Sequence, residues 1–82
     1  MKKGDKIYYW YRGEKPIFGN ILKYYTNKED NILEIQTKKH IIYLWREINT
    51  DEWYDENNNL VRISLTRPKY KPIKRMNFSL YD

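Results

Sequence analysis

Cysteine is absent from this chain, and histidine occurs once, at His40. Without thiols there is neither a disulfide framework nor a thiolate metal site, so the fold must hold by packing alone, and a reducing compartment is permitted. The same absence removes a Cys nucleophile. There are three glycines, Gly4, Gly13 and Gly19, and no Gly-rich phosphate loop of the Walker type. Ser64 and Ser79 have no recognisable base and orienting acid at triad spacing. His40, beside Lys38 and Lys39, reads as a turn or strand-start residue. Neither catalysis nor a cofactor is expected. No apolar run approaches the roughly 18 residues that span a bilayer, and the amino terminus lacks the apolar region of a signal peptide. The reading is a soluble, cytoplasmic protein with no membrane contact.

What the chain has instead is aromatic surface and charge. Aromatics make up 17% of its 82 residues, and the net charge is +5. A chain of this length makes one domain and buries only about 60 per cent of its unfolded surface, which leaves scant room for an enclosed pocket. The charge is segregated. Residues 1–46 carry ten bases and five acids, residues 47–56 five acids and no base, and residues 57–82 six bases and one acid. Basic surface attracts phosphate backbones and acidic proteins alike, while an acidic patch attracts a basic partner.

The run Lys6-Ile7-Tyr8-Tyr9-Trp10-Tyr11-Arg12 is aromatic and β-branched, which fits a pleated strand and disfavours a helix. Alternation sends Ile7, Tyr9 and Tyr11 to one face and Tyr8, Trp10 and Arg12 to the other. A turn at Gly13-Glu14-Lys15-Pro16 leads to a second strand, Ile17 to Thr26, with Ile17, Gly19, Ile21 and Tyr25 opposing Phe18, Leu22 and Tyr24. Gly19 inside that pattern predicts a bulge or sharp bend, of the kind that curls a sheet toward a barrel. After a polar turn at Asn27 to Asn31, strands are expected at Ile32 to Thr37 and His40 to Ile48, joined tightly through Lys38-Lys39. Asn57-Asn58-Asn59 tolerate positive φ and predict a hairpin between a strand at Trp53-Tyr54 and one holding Val61, Ile63 and Leu65. The pattern predicts a single all-β domain over residues 1–66, a curled antiparallel sheet of five or six strands. Its expected core is Ile7, Ile21, Leu33, Ile35, Ile42, Leu44, Val61, Ile63 and Leu65. Residues 67–82 are expected to be a basic C-terminal arm or a docked last strand, since Met76, Phe78, Leu80 and Tyr81 offer apolar surface there.

At Lys3-Gly4-Asp5-Lys6-Ile7, together with Phe18-Gly19-Asn20-Ile21, the chain resembles the SH3-like small barrels, including KOW and Tudor-type modules, in which a Gly-Asp turn launches the first strand. The likeness runs over about residues 4–66. It implies a curled sheet of five or six strands that binds nucleic acid or peptides with aromatic and basic residues near its loops. The acidic hairpin at residues 51–59 departs from that pattern.

The expected binding residues follow from chemistry. Tyr8 and Trp10 share a face with Arg12, and Tyr70 is interleaved among Arg67, Lys69, Lys71, Lys74 and Arg75. Rings of this kind stack on bases and the cations hold phosphates. Tyr24, Tyr43, Trp45, Trp53 and Tyr54 are further candidate platforms or core residues. The expected function is a non-enzymatic binding module for nucleic acid or a nucleic-acid-associated protein. The alternative is a small inhibitor or adaptor, of a phage or mobile element, that occludes a functional surface of a larger host or defence protein. In that reading Asp51, Glu52, Asp55 and Glu56 contact the partner. Asp55, Asn57 and Asn59 match the first spacings of a calcium loop, but Leu60 and Thr66 stand where Gly and Glu are needed, so no metal site is expected. A homodimer through a free sheet edge is a third possibility.

Overall fold

Gly4 adopts φ +92°, a backbone region open to glycine at little cost, and turns the chain from Lys2 into the first strand. Asp5 closes this turn, its N–H donating to the Lys2 carbonyl at 3.0 Å and its carboxylate accepting the Lys2 N–H at 3.0 Å. The computed structural model describes residues 1–69. Tyr70, Lys71, Lys74, Arg75 and the expected last docked strand lie outside them. Within them run β1 (Lys6–Trp10), β2 (Ile17–Asn27), β3 (Asp30–Gln36), β4 (Ile41–Glu47), β5 (Trp53–Tyr54) and β6 (Leu60–Ser64). Each strand pairs antiparallel with the next, and β6 returns to β1 through Tyr8↔Ser64, Tyr9↔Ile63 and Trp10↔Arg62, closing a six-stranded barrel. The all-β expectation holds.

Two local expectations are corrected. The first strand was expected to reach Arg12 and instead ends at Trp10. A turn intervenes, with the Glu14 N–H donating to the Tyr11 carbonyl at 2.9 Å and Gly13 at φ +80°. The bulge expected at Gly19 lies instead at Leu22, between the pairs Ile21↔Ile35 and Lys23↔Glu34. Gly19 has a different task. It pairs with Ile7, and a Cβ there would stand 2.6 Å from both the Gln36 carbonyl oxygen and Ile35 Cγ2, so only glycine lets β2 and β3 approach this closely. The bulge shifts alternation by one residue, because an extra residue on one strand swaps every later side chain to the other face. Tyr24, opposite Leu33, therefore turns inward, and Tyr25, opposite Ile32, turns out.

The core comprises Ile7, Tyr9, Ile21, Leu33, Ile35, Leu44, Trp53 and Val61, with Tyr11, Ile42 and Ile63 packed against it. Leu65, expected inside, is 48% exposed. The ladder ends at Ser64, whose hydroxyl accepts the Thr66 N–H at 3.1 Å and turns the chain before Leu65 can continue the alternation. Trp53, a candidate platform or core residue, is part of the core. The Tyr24 ring lies 6.3 Å from it, and the Arg46 guanidinium stands 5.3 Å over its face. Arg46 also donates to the Thr50 carbonyl at 2.9 Å and reaches Asp51 at 3.8 Å, so one cation packs on Trp53 and ties down the β4–β5 loop.

Candidate functional site

The register of β1 on β2 sets Tyr8 directly opposite Phe18 on the outside of the barrel. Their ring centroids are 5.8 Å apart and tilted by 42°, a favourable edge-inclined contact. Phe18 remains 45% exposed, and Lys6 Nζ stands 5.7 Å from its centroid. Two grooves flank this ring. One, of about 380 Å³, is lined by Tyr8, Lys15, Pro16, Phe18, Arg67 and Pro68. The other, of about 370 Å³, is lined by Phe18, Gly19, Asn20, Gln36, Thr37 and Lys38. Phe18 is thus a wall shared by two adjacent depressions, and four cations (Lys6, Lys15, Lys38 and Arg67) stand around them.

Local chemistry fixes the walls. Pro16 cannot donate to the ladder and precedes the first residue of β2, so the turn before it presents Lys15 to the groove. On the other side, Thr37 is buried and organises the β3–β4 turn. Its hydroxyl donates to the His40 carbonyl at 2.8 Å and accepts the His40 N–H at 3.2 Å. That turn carries Lys38 beside Phe18, and His40 closes it as a turn residue, as its sequence position suggests.

Of the residues expected from sequence, Tyr8 and Arg67 meet in one groove. Trp10 lies on the same outer face, opposite Arg62. Arg12 is exposed in the turn after β1 and Lys69 is exposed beyond β6. Neither lines the two grooves. Lys6, Lys15, Phe18 and Lys38 were missed. Their signal was present in strand parity, since Phe18 alternates away from the inward Gly19 and Ile21, but only the β1–β2 register sets it beside Tyr8.

The acidic residues divide. Asp51 and Glu52 are exposed in the β4–β5 loop, and Glu56 at the hairpin tip is exposed too. Asp55 is an organiser of the fold. Its Oδ1 accepts the N–H groups of Asn57 and Asn59, both at 2.9 Å, and its Oδ2 accepts the Tyr11 hydroxyl at 2.6 Å. Partial burial alone would raise its pKa. The bonds from Tyr11, Asn59 and Asn57 outweigh burial and hold the carboxyl below the usual carboxylate range. Tyr11 is shifted the other way, up from 10.0, first by burial and then by its bond to Asp55. Asn58 takes φ +64°, as the asparagine run predicted.

Compared with family models, with curated proteins and with solved structures, the chain matches none of them.

Proposed function

We propose that this chain is a non-enzymatic module that binds nucleic acid through the Tyr8–Phe18 surface of its barrel. The observation that carries the reading is the exposed Phe18 ring standing between two grooves, with Lys6, Lys15, Lys38 and Arg67 around them. Each groove is of a size to accept a planar base against a ring, and the cations are distributed to follow a phosphate backbone past both. An aromatic between two depressions suits unpaired bases, since a duplex keeps its base faces covered. The ligand class is accordingly a single strand or a splayed loop, free or within a nucleoprotein. Arg12, Lys69, Lys71, Lys74 and Arg75 extend the positive charge of the chain, which raises the encounter rate and the salt sensitivity of binding, and Tyr70 among them is a further ring for stacking. The six-stranded barrel and the Gly-Asp launch of β1 are compatible with an SH3-like module of the KOW or Tudor type, and the binding mode proposed is of the kind such modules use.

The test is fluorescence anisotropy with a labelled single-stranded oligonucleotide of about ten residues. Stacking on one ring is worth about 1–3 kcal/mol, so Phe18→Ala weakens binding by about 5- to 150-fold with the fold intact by circular dichroism. Unchanged affinity in both Phe18→Ala and Tyr8→Ala contradicts the stacking role.

A further inference from the structure

The bulge at Leu22 creates a second surface, unlike the first in sign. From Lys23 onward the register runs Tyr25↔Ile32↔Trp45↔Tyr54, and directly paired residues of a sheet point to one side. Four apolar or aromatic residues from β2, β3, β4 and β5 therefore form one continuous row on the outside of the barrel. At about 4.8 Å between strands the row is about 14 Å long. Tyr25 is 41% exposed, and Trp45 and Tyr54 stack with centroids 5.1 Å apart. Trp45 Nε1 donates to the Asp55 carbonyl at 3.1 Å, which fixes the indole in the row.

Carboxylates border this row on both sides. One step along the same face lie Glu34, opposite Tyr43, and on the other side Asp30, opposite Glu47. Tyr25 donates its hydroxyl to Glu34 at 3.1 Å, and Tyr54 donates to Glu52 at 3.3 Å, so the row's own rings hold two of the acids at its margin. Lys23, opposite Glu34, is the cation that the register sets on this face, with Lys28 in the adjoining hairpin turn. Neither makes an ion pair within 4 Å. Among the described residues the one ion pair is Arg46–Asp51, from the inward side of β4. Asp30 and Glu47 are thus two like charges set directly opposite each other with no bridging cation, an arrangement that costs a sheet stability.

We infer that the Tyr25–Ile32–Trp45–Tyr54 row, between Glu34 and the Asp30–Glu47 pair, is a docking surface for an extended lysine- or arginine-rich segment of a partner protein. Charge complementarity names the occupant. Lysine and arginine carry cationic heads on apolar stems, so the heads meet the carboxylates while the stems and the guanidinium plane lie on the rings. A segment of about four or five extended residues covers the row. A cation between Asp30 and Glu47 relieves their repulsion, which gives binding a driving force that the free protein lacks. The surface is separate from the Tyr8–Phe18 grooves, so a basic protein and a nucleic acid can be held together.

The experiment titrates the intact chain with a labelled Lys/Arg-rich dodecapeptide, read by anisotropy at low and physiological salt, with light scattering in parallel. The expected result is saturable binding that Glu34→Gln combined with Glu47→Gln weakens at least tenfold, while Lys15→Ser combined with Arg67→Ser leaves it within twofold. Glu47→Gln alone raises the urea midpoint of the free protein, so a folding defect cannot account for its lost affinity. Peptide binding that ignores Glu34 and Glu47 overturns the inference. Self-association lost in the same double variant assigns the surface to a second copy instead. Peptide binding seen only after Lys71, Lys74 and Arg75 are replaced by serine assigns it to the chain's own C-terminal cations. Either of these overturns the partner-protein reading. Nucleic-acid affinity is measured on the same variants, and its loss in Lys15→Ser with Arg67→Ser is independent of all three outcomes.

Discussion

The Tyr11 hydroxyl donates to Asp55 Oδ2 at 2.6 Å across 44 residues of chain, joining the end of β1 to the β5–β6 hairpin. The bond matters because β5 has only two residues and pairs with β4 at a single position, Trp45↔Tyr54. Asp55 adds a tie at the β5 side of the hairpin, and its oxygens also hold Asn57 and Asn59. A hydrogen bond to a charged group contributes about 1.5–3 kcal/mol, and this one is partly exposed to water, which places it at the lower end. Tyr11→Phe should lower unfolding free energy by about 1–2 kcal/mol in urea. Asp55→Ala should cost more, since it releases the Tyr11 hydroxyl and both asparagine N–H groups together.

The same pair sets two limits in pH. Asp55 is held below its ordinary 3.8, so its contribution is complete above that value and is lost as pH falls from there through its lower folded pKa. Tyr11 is held above 10.0, so its contribution is complete below that pH and is lost as the pH rises beyond it. Chemical denaturation from pH 2 to 11 should show a plateau between these limbs. In Tyr11→Phe the acid limb becomes shallower. The alkaline limb shrinks without vanishing, because burial also raises Tyr9.

Gly19→Ala should destabilise the barrel by about 1–3 kcal/mol, the cost of overpacking. The added Cβ meets a backbone carbonyl at 2.6 Å, and backbone cannot rotate away as a side-chain tip can. An Ala variant as stable as the parent would show that β2 and β3 separate freely there.

Much of this fold is legible from the residues, for a physical reason. Leu33 and Ile35 alternate with Glu34 and Gln36, and Val61 and Ile63 with Arg62 and Ser64, and period-two alternation is what a half-buried strand imposes. Asn58 at φ +64° is likewise local chemistry. Alternation fails where the ladder is interrupted. Tyr24 and Tyr25 exchange faces through a bulge that nothing marks at Leu22, and Leu65 stays outside because Ser64 ends the strand. The two surfaces were less legible than the core. Phe18 beside Tyr8, and Tyr25 in line with Tyr54, are juxtapositions of pairing register, which depends on every turn between the strands.

Trp53 tests how the barrel's end is closed. It is 6% exposed between Tyr24 and Arg46, and its truncation should cost about 3–5 kcal/mol, as large core aromatics do. Arg46→Ala should cost less and should red-shift the Trp53 emission, because it opens the indole to water while leaving it in place.

The central claim, that the Tyr8–Phe18 surface holds nucleic acid with its surrounding cations, is tested most directly by the salt dependence of oligonucleotide binding. Each phosphate contact on a single strand contributes about 0.7 to the slope of log affinity against log salt. Lys6, Lys15, Lys38 and Arg67 together predict a slope of about −3 or steeper, reduced by about 1.4 in Lys15→Ser combined with Arg67→Ser. A slope near zero, or one that those two substitutions leave unchanged, would contradict it.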